Sequence, residues 1–192
     1  MPSSFLKRLI DIVVSFVALL ILMPLLLLVA LLIKFDSEGD VIFKQARLGR
    51  FGKPFYIYKF RTMIPNAENI GLGIRTASDD PRITRIGHLL RTFSIDELPQ
   101  LVNILKGEMS LVGPRPAPVR HWDTYSDQQK KRLQMRPGVT GWAQVNGRNT
   151  IPWDERIIKD IWYVENYSLR LDARIFFMTV SSVVNKKGIY SK

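Results

Sequence analysis

One apolar run near the N-terminus, from Ile12 to Ile33, most constrains what this chain can fold into. Ser15 is its only polar side chain. As a straight helix the run would be roughly 33 Å long, which is enough to span a bilayer core. No Ala-x-Ala-like cleavage site follows it, so the sequence predicts a retained membrane element rather than a signal peptide.

The middle and the ends of this run bear on how it meets the membrane. Pro24 lies near the midpoint, and Lys7, Arg8 and Lys34 place positive charge at both ends. An internal proline removes one backbone hydrogen bond and tends to kink a helix. A kinked helix that turns back would leave both basic ends at the cytoplasmic headgroup layer, as the positive-inside rule favours. A kinked spanning helix is equally compatible with these residues, because membrane helices tolerate proline.

The charge balance and the missing cysteines limit the function classes. The 192 residues include 28 Lys and Arg against 17 Asp and Glu, a formal net charge of +11. A basic domain beside an apolar anchor predicts anionic partners, which are lipid headgroups, phosphorylated substrates or nucleic acid. With no Cys and two His, the chain has neither a disulfide framework nor an imidazole or thiolate metal site. Any metal is therefore expected to be a hard cation on oxygen ligands, with Mg²⁺ as the first candidate.

The rest of the chain has the patterns of a mostly helical α+β fold. Residues 41–43 and 55–60 predict a small β-hairpin around a turn that contains Gly49, Gly52 and Pro54. Residues 66–80 are predicted to form a surface loop. Apolar spacing predicts helices near residues 83–90, 98–105, 126–135, 153–163 and 171–184, with Gly107 ending the second. We therefore expect a membrane-anchoring helix in residues 1–35 and a second domain in residues 36–192.

Two adjacent carboxylates, Asp96 and Glu97, open one of the predicted helices. Ser94, three residues before Glu97, gives a capping-box pattern, which is a purely structural reason for the pair. With Asp96 as the cap instead, Pro99 would fall safely in the first turn, so both helix starts stay open. A carboxylate at a helix N-terminus can also attack a phosphate that the helix dipole attracts, giving an acyl phosphate. A divalent cation would shield the repulsion between them.

Two arginines suit such a reaction. Arg91 lies just before the carboxylate pair, and Arg115 lies in the proline-flanked sequence GPRP. Bidentate guanidinium groups match the oxygens of a diphosphate. Taken singly, either arginine is better explained as a solvated surface charge.

Long motifs closely resemble those of the bacterial sugar transferase family, the monotopic polyprenyl-phosphate phosphoglycosyl transferases. They are LRTFSIDELPQL at residues 90–101, MSLVGPRP at 109–116 and RPGVTGWAQVNGRN at 136–149. Lys7-Arg8 with Asp11, Pro24, and KFRTM at residues 59–63 match as well. The resemblance therefore covers nearly the whole chain, in order.

The resemblance implies a covalent reaction at the carboxylate pair. Asp96 is expected to attack the β-phosphate of a UDP-sugar, expelling UMP, and undecaprenyl phosphate then accepts the phosphosugar. Glu97 is expected to assist in metal or proton handling, with Mg²⁺ held by Asp96 and Glu97. The substrate phosphates are assigned to Arg91, Arg115, Lys59 and Arg61. The nucleotide sugar is assigned to Arg136, Thr140, Gly141, Trp142, Gln144 and Arg148.

The resemblance also implies a location. The family's membrane helix is re-entrant and broken at a Ser-Pro pair; here the pair is Met23-Pro24, which lacks the hydroxyl that could bond a freed carbonyl. Residues 36–192 are then a catalytic domain on the cytoplasmic face of the bacterial inner membrane. Its expected partners are membrane lipids and downstream glycosyltransferases, with no nucleic acid, in the first steps of surface glycan assembly.

Two other function classes fit parts of the sequence. A sequence pI of about 10.1 and aromatic residues interleaved with Lys59 and Arg61 suit a nucleic-acid-binding module. A catalytically silent membrane scaffold would use the same anchor. The nucleic-acid-binding module leaves the anchor and the carboxylate pair unexplained, and turnover of a donor by the purified protein would separate an enzyme from both alternatives. The sequence leaves the transferred sugar and the glycan pathway open.

Overall fold

A long apolar helix and a mixed helical domain make up the fold. The computed structural model describes residues 5–70, 80–147 and 150–184. The helices are α1 (Phe5–Asp36), α2 (Arg85–Thr92), α3 (Gln100–Lys106), α4 (Asp127–Lys130), α5 (Trp142–Val145), α6 (Trp153–Glu165) and α7 (Leu169–Val184). The strands are β1 (Ile42–Leu48), β2 (Pro54–Phe60), β3 (Ser110–Val112), β4 (Ala117–Pro118) and β5 (Gly138–Thr140). The predicted α+β, mostly helical class is confirmed.

Helix α1 is continuous through Pro24. The proline therefore does not end the helix, and the kink predicted at this residue stays a prediction. The 32-residue helix is long and apolar enough to cross a membrane, and most of its large apolar side chains are exposed. Its return to the same membrane face stays a prediction.

Both ends of α1 contact the rest of the chain. At the start, Lys7 Nζ donates to the Val112 carbonyl at 2.9 Å, and Arg8 Nη1 donates to the Ile104 carbonyl at 2.6 Å. At the end, the Asp36 carboxylate accepts from the Ile86 backbone N–H at 3.1 Å. The helix thus lies against the domain at both termini instead of being joined to it only by a linker.

The predicted hairpin is confirmed and extended. Strands β1 and β2 pair antiparallel, from Ile42 opposite Phe60 to Leu48 opposite Pro54. Strand β4 adds to the free edge of β1, giving the order β2-β1-β4. The sequence placed the first strand only at residues 41–43, because Lys44, Gln45 and Arg47 obscure its later half.

A second, parallel pair joins β3 to β5 and was not predicted. Glycines make this contact possible: a Cβ on Gly138 would lie 2.1 Å from the Gly113 nitrogen, and one on Gly141 would lie 2.1 Å from the Gly113 oxygen. Two backbones therefore touch where side chains would keep them apart. This contact brings the segment that carries Arg115 beside the segment that carries Thr140.

Candidate functional site

The carboxylate pair lies on a short turn between α2 and α3. Residues Ile95–Glu97 form one turn of 3₁₀ helix, and α3 begins only at Gln100, directly after Pro99. Ser94 has φ +56°, and its side chain makes no capping hydrogen bond. The capping-box prediction is therefore wrong, because an N-cap residue needs an extended backbone. A left-handed Ser94 costs on the order of 1 kcal/mol, and such conformations cluster at functional turns.

Glu97 is held by two cations. Its Oε1 lies 2.6 Å from Lys59 Nζ and 3.2 Å from Arg115 Nη2. Burial alone would raise the pKa of Glu97, but Lys59 and Arg115 lower it far below its ordinary value. Glu97 is therefore ionised at neutral pH and fixed in place.

Asp96 differs sharply from its neighbour. Its side chain is 9% exposed, and in the described part of the chain no hydrogen bond or ion pair reaches its carboxylate. Burial raises the pKa of Asp96 to about 6, helped by the charge of Glu97 and opposed by Lys59, Arg91 and Arg115. A buried carboxylate with open lone pairs near three cations can act as a nucleophile.

Three predicted cations surround this pair from different elements. Lys59 comes from β2, Arg91 from α2, and Arg115 from the segment between β3 and β4. The Arg91 Nε donates to the Thr62 hydroxyl at 2.9 Å, which orients its guanidinium. Thr62 was not predicted, although it belongs to the KFRTM motif that carries Lys59. Three cations against two carboxylates leave positive charge for an anionic ligand.

Arg61 does not join this group. Its guanidinium donates to the carbonyls of Ser37 at 2.6 Å and Asp40 at 2.7 Å, next to the end of α1. Its Nη2 also donates to the Ile33 carbonyl at 3.3 Å, one of the last carbonyls of α1, which lack partners within the helix. The structure thus gives Arg61 a structural contact away from the carboxylate pair, and its role at a substrate phosphate stays a prediction.

A cavity of about 250 Å³ adjoins Glu97. Thr140 and Gln144, both predicted to bind the nucleotide sugar, line it together with Thr179 and Ser182 of α7. The Thr140 and Thr179 hydroxyls are 2.7 Å apart. Neither α7 residue was predicted, because the apolar spacing of this helix is that of an ordinary packed helix.

The other predicted nucleotide-sugar residues have different surroundings. Trp142 stacks on Trp162 with ring centroids 4.9 Å apart. Gly141 packs against Gly113, and the Arg136 Nε donates to the Gly107 carbonyl at 2.8 Å. These contacts support the local fold and do not bring the three residues to the cavity wall. Arg148 lies outside the described residues.

The two carboxylates can hold a metal ion only when a bound ligand supplies further oxygen donors. Among residues 5–70, 80–147 and 150–184, no group of three or more His, Asp or Glu side chains could hold an ion. Mg²⁺ commonly takes one or two carboxylates and completes its shell with substrate phosphates and water. Asp96 and Glu97 fit that donor set if the metal arrives with a diphosphate.

A family model and several known proteins are similar to this chain over nearly its whole length. Residues 2–186 match the family described as "Bacterial sugar transferase". The chain is 43% identical over 184 residues to the "Uncharacterized sugar transferase EpsL" of Bacillus subtilis, covering 96% of this chain and 90% of that protein. It is 41% identical to the "Undecaprenyl-phosphate galactose phosphotransferase" of Salmonella typhimurium, covering 98% of this chain and 42% of the relative. It is 42% identical to the "UDP-glucose:undecaprenyl-phosphate glucose-1-phosphate transferase" of Escherichia coli, again covering 98% and 42%.

Proposed function

Because the chain belongs to the bacterial sugar transferase family, we propose that it transfers a sugar 1-phosphate from a UDP-sugar to undecaprenyl phosphate. The family match confirms the resemblance carried by the sequence motifs. The relatives from Salmonella typhimurium and Escherichia coli are named for this class of reaction. One observation carries the proposal to this chain. Asp96 accepts no hydrogen bond in the described residues, while its neighbour Glu97 is held by Lys59 and Arg115.

The first step forms a covalent intermediate. A carboxylate oxygen of Asp96 attacks the β-phosphorus of the donor, and the bond from that phosphorus to the bridging oxygen breaks. UMP leaves with the bonding electrons, and the phosphosugar remains as an acyl phosphate on Asp96. Lys59, Arg91 and Arg115 stabilise the negative charge on the phosphoryl oxygens.

The second step regenerates the enzyme. A phosphate oxygen of undecaprenyl phosphate attacks the same phosphorus, and Asp96 departs as a carboxylate. The product is undecaprenyl diphosphate sugar. Its formation is the first step of building a surface glycan on the lipid carrier.

Glu97 is proposed to organise the site rather than to attack. Its carboxylate fixes Lys59 and Arg115 where they meet the donor diphosphate. Mg²⁺, held by Asp96, Glu97 and the diphosphate, would supply charge neutralisation. In the low dielectric of a closed site, preplaced charges stabilise the transition state more than solvent does.

The same proposal includes a place in the cell. The exposed apolar surface of α1 would lie in the cytoplasmic leaflet of the inner membrane, among lipids and beside downstream glycosyltransferases. The contacts at both ends of α1 support this, because Lys7 and Asp36 reach the same domain. A helix that sent its start to the far side of the bilayer would lose the Lys7 contact.

The test is release of UMP from a panel of UDP-sugars, with and without undecaprenyl phosphate. We expect one donor to give a single turnover without acceptor and steady turnover with it, and Asp96→Asn to abolish both. Asp154→Asn is the matched control, because the same change there alters an exposed carboxylate on α6. Normal UMP release by Asp96→Asn would exclude this nucleophile. No release by the native protein from any donor would favour the silent scaffold.

A further inference from the structure

A buried ion pair lies behind the site and has no part in the reaction above. Arg132 and Asp160 form it, and each side chain is 1% exposed. Arg132 also donates to the Tyr125 hydroxyl at 2.6 Å and lies over the ring of Trp153, 5.3 Å from its centroid. The pair links the turn that contains Arg132 to helix α6.

Burying this ion pair in the core has an unfavourable desolvation free energy. Within the described residues, Arg132 Nε and Asp160 Oδ1 have no hydrogen-bond partner. Burial raises the pKa of Asp160 to about 6, against the opposing charge of Arg132. Well-packed apolar residues in place of a buried ion pair are often as stable or more stable. Stability therefore does not explain why the two charges are here.

A contact with the backbone of Arg115 explains the presence of the two charges. The Nη2 atom that pairs with Asp160 also donates to the Arg115 carbonyl oxygen at 3.0 Å. One residue earlier, the Pro114 carbonyl accepts from the Gly138 N–H at 2.9 Å. The carbonyl groups of two successive residues are thus each held by a hydrogen bond.

The side chain of Arg115 needs this support. It is 42% exposed, and the ion pair with Glu97 at 3.2 Å holds only the guanidinium end of the side chain. A long, half-exposed side chain has many rotamers. Its guanidinium will meet a diphosphate reproducibly only if the backbone beneath it stays in place.

We propose that Arg132 and Asp160 are positioning residues, which hold the Arg115 carbonyl so that the Arg115 guanidinium meets Glu97 and the donor diphosphate. Asp160 fixes the orientation of the Arg132 guanidinium, and Arg132 fixes the loop. The inference rests on the proposed function, since its kinetic effect is on transfer from the UDP-sugar.

A double-mutant cycle tests it. Asp160→Asn keeps the size of the side chain and removes its charge, and we expect it to lower kcat/KM for UMP release about tenfold, as small misplacements of a catalytic group do. In an Arg115→Ala background, the same change should lower kcat/KM less than about twofold, because the group it positions is gone. Equal losses in both backgrounds would overturn the proposal, since a general structural effect is independent of Arg115.

A second buried ion pair provides the matched control. Asp80 pairs with Arg82 at 2.6 Å, with both side chains nearly inaccessible. Whatever effect Asp80→Asn has on kcat/KM should multiply with that of Arg115→Ala, as independent sites do. If Asp80→Asn is coupled to Arg115 as strongly as Asp160→Asn, the positioning role is not specific and the proposal fails.

Two further measurements test the proposal if Asp160→Asn does not fold or if the proposed function is wrong. If Asp160→Asn does not fold, the double variant Arg132→Met with Asp160→Leu replaces the pair by apolar side chains. A stable double variant with native kcat/KM would overturn the proposal, and a stable one with reduced kcat/KM supports it. Hydrogen exchange at the amides of Gly113, Arg115 and Ala117 needs no activity: we expect faster exchange in whichever of these variants folds. Unchanged exchange contradicts the positioning role, whereas faster exchange in a protein without UMP release would leave it standing and reject only the proposed function.

Discussion

Replacing Glu97 by Gln should move the acid side of the pH profile to lower pH. With a pKa of about 6, the Asp96 carboxyl is only about one-tenth ionised at pH 5, so the donor step should run there at about a tenth of its plateau rate. Relative to the ordinary value of 3.8, ionisation of Asp96 is about 3 kcal/mol less favourable. The nucleophile is therefore switched on as the pH rises through about 6.

The direction of the shift follows from the contacts of Glu97. Glu97→Gln removes a neighbouring negative charge that raises the pKa of Asp96. It also frees Lys59 and Arg115 from Glu97, and both cations lower the pKa of Asp96. Both effects favour the Asp96 carboxylate, so the variant should keep more of its own plateau rate at pH 5 even if that plateau is lower.

The assay is kcat/KM for UMP release across the acidic and neutral range, because this parameter reports ionisations of the free enzyme. Glu108→Gln is the control: Glu108 pairs with Lys106 and accepts from Asn103, outside the carboxylate pair. Its profile should coincide with that of the native protein. An acid limb in Glu97→Gln that stays in place, or moves to higher pH, would refute the argument that Glu97 and its cations set the ionisation of Asp96.

Three more predictions concern the nucleophile, an arginine and the membrane helix. Asp96→Asn should unfold at a higher temperature than the native protein at pH 8, because a carboxyl whose folded pKa is raised loses stability as pH rises through about 6. The gain, at most about 3 kcal/mol, should vanish below about pH 4, and a thermal melt at both pH values measures it. Arg115→Lys should lower kcat/KM for UMP release about tenfold or more, since an ammonium cannot replace the planar guanidinium fork; native kinetics would place Arg115 outside the phosphate site. A Cys introduced at Ser4 should resist an impermeant thiol reagent from the periplasm, because Lys7 and Arg8 hold the start of α1 on the domain; labelling from the periplasm would show that the helix spans.

Sequence patterns predicted the longer elements well. Helix α3 ends at Gly107, which adopts φ +86°, because only glycine takes a left-handed end without cost. The start of the same helix was misjudged. Ser94 matches a capping pattern in its letters, but its left-handed backbone turns the chain between two helices, and residue types alone do not encode that turn.

Tertiary contacts explain what the sequence missed. Strands β3 and β5 have three residues each, too few for an alternating pattern to be visible. Arg61 lies two residues after Lys59 in one motif, yet it contacts the end of α1, which is distant in sequence. Thr179 lines the cavity from a helix whose apolar spacing predicts only packing. In each case the deciding partner lies far along the chain.

Strand β3 connects the membrane helix to the site. Asp11 accepts from the Ser110 hydroxyl and from the Leu111 N–H, each at 3.0 Å, and Lys7 donates to the carbonyl of Val112. Three residues after Val112, the same segment presents Arg115 to Glu97. The polar side chains of an otherwise apolar helix therefore bind the strand that leads into the loop carrying Arg115. The division into an anchor at residues 1–35 and a domain at residues 36–192 stays a prediction, and helix α1 supplies hydrogen bonds to the strand that precedes this loop.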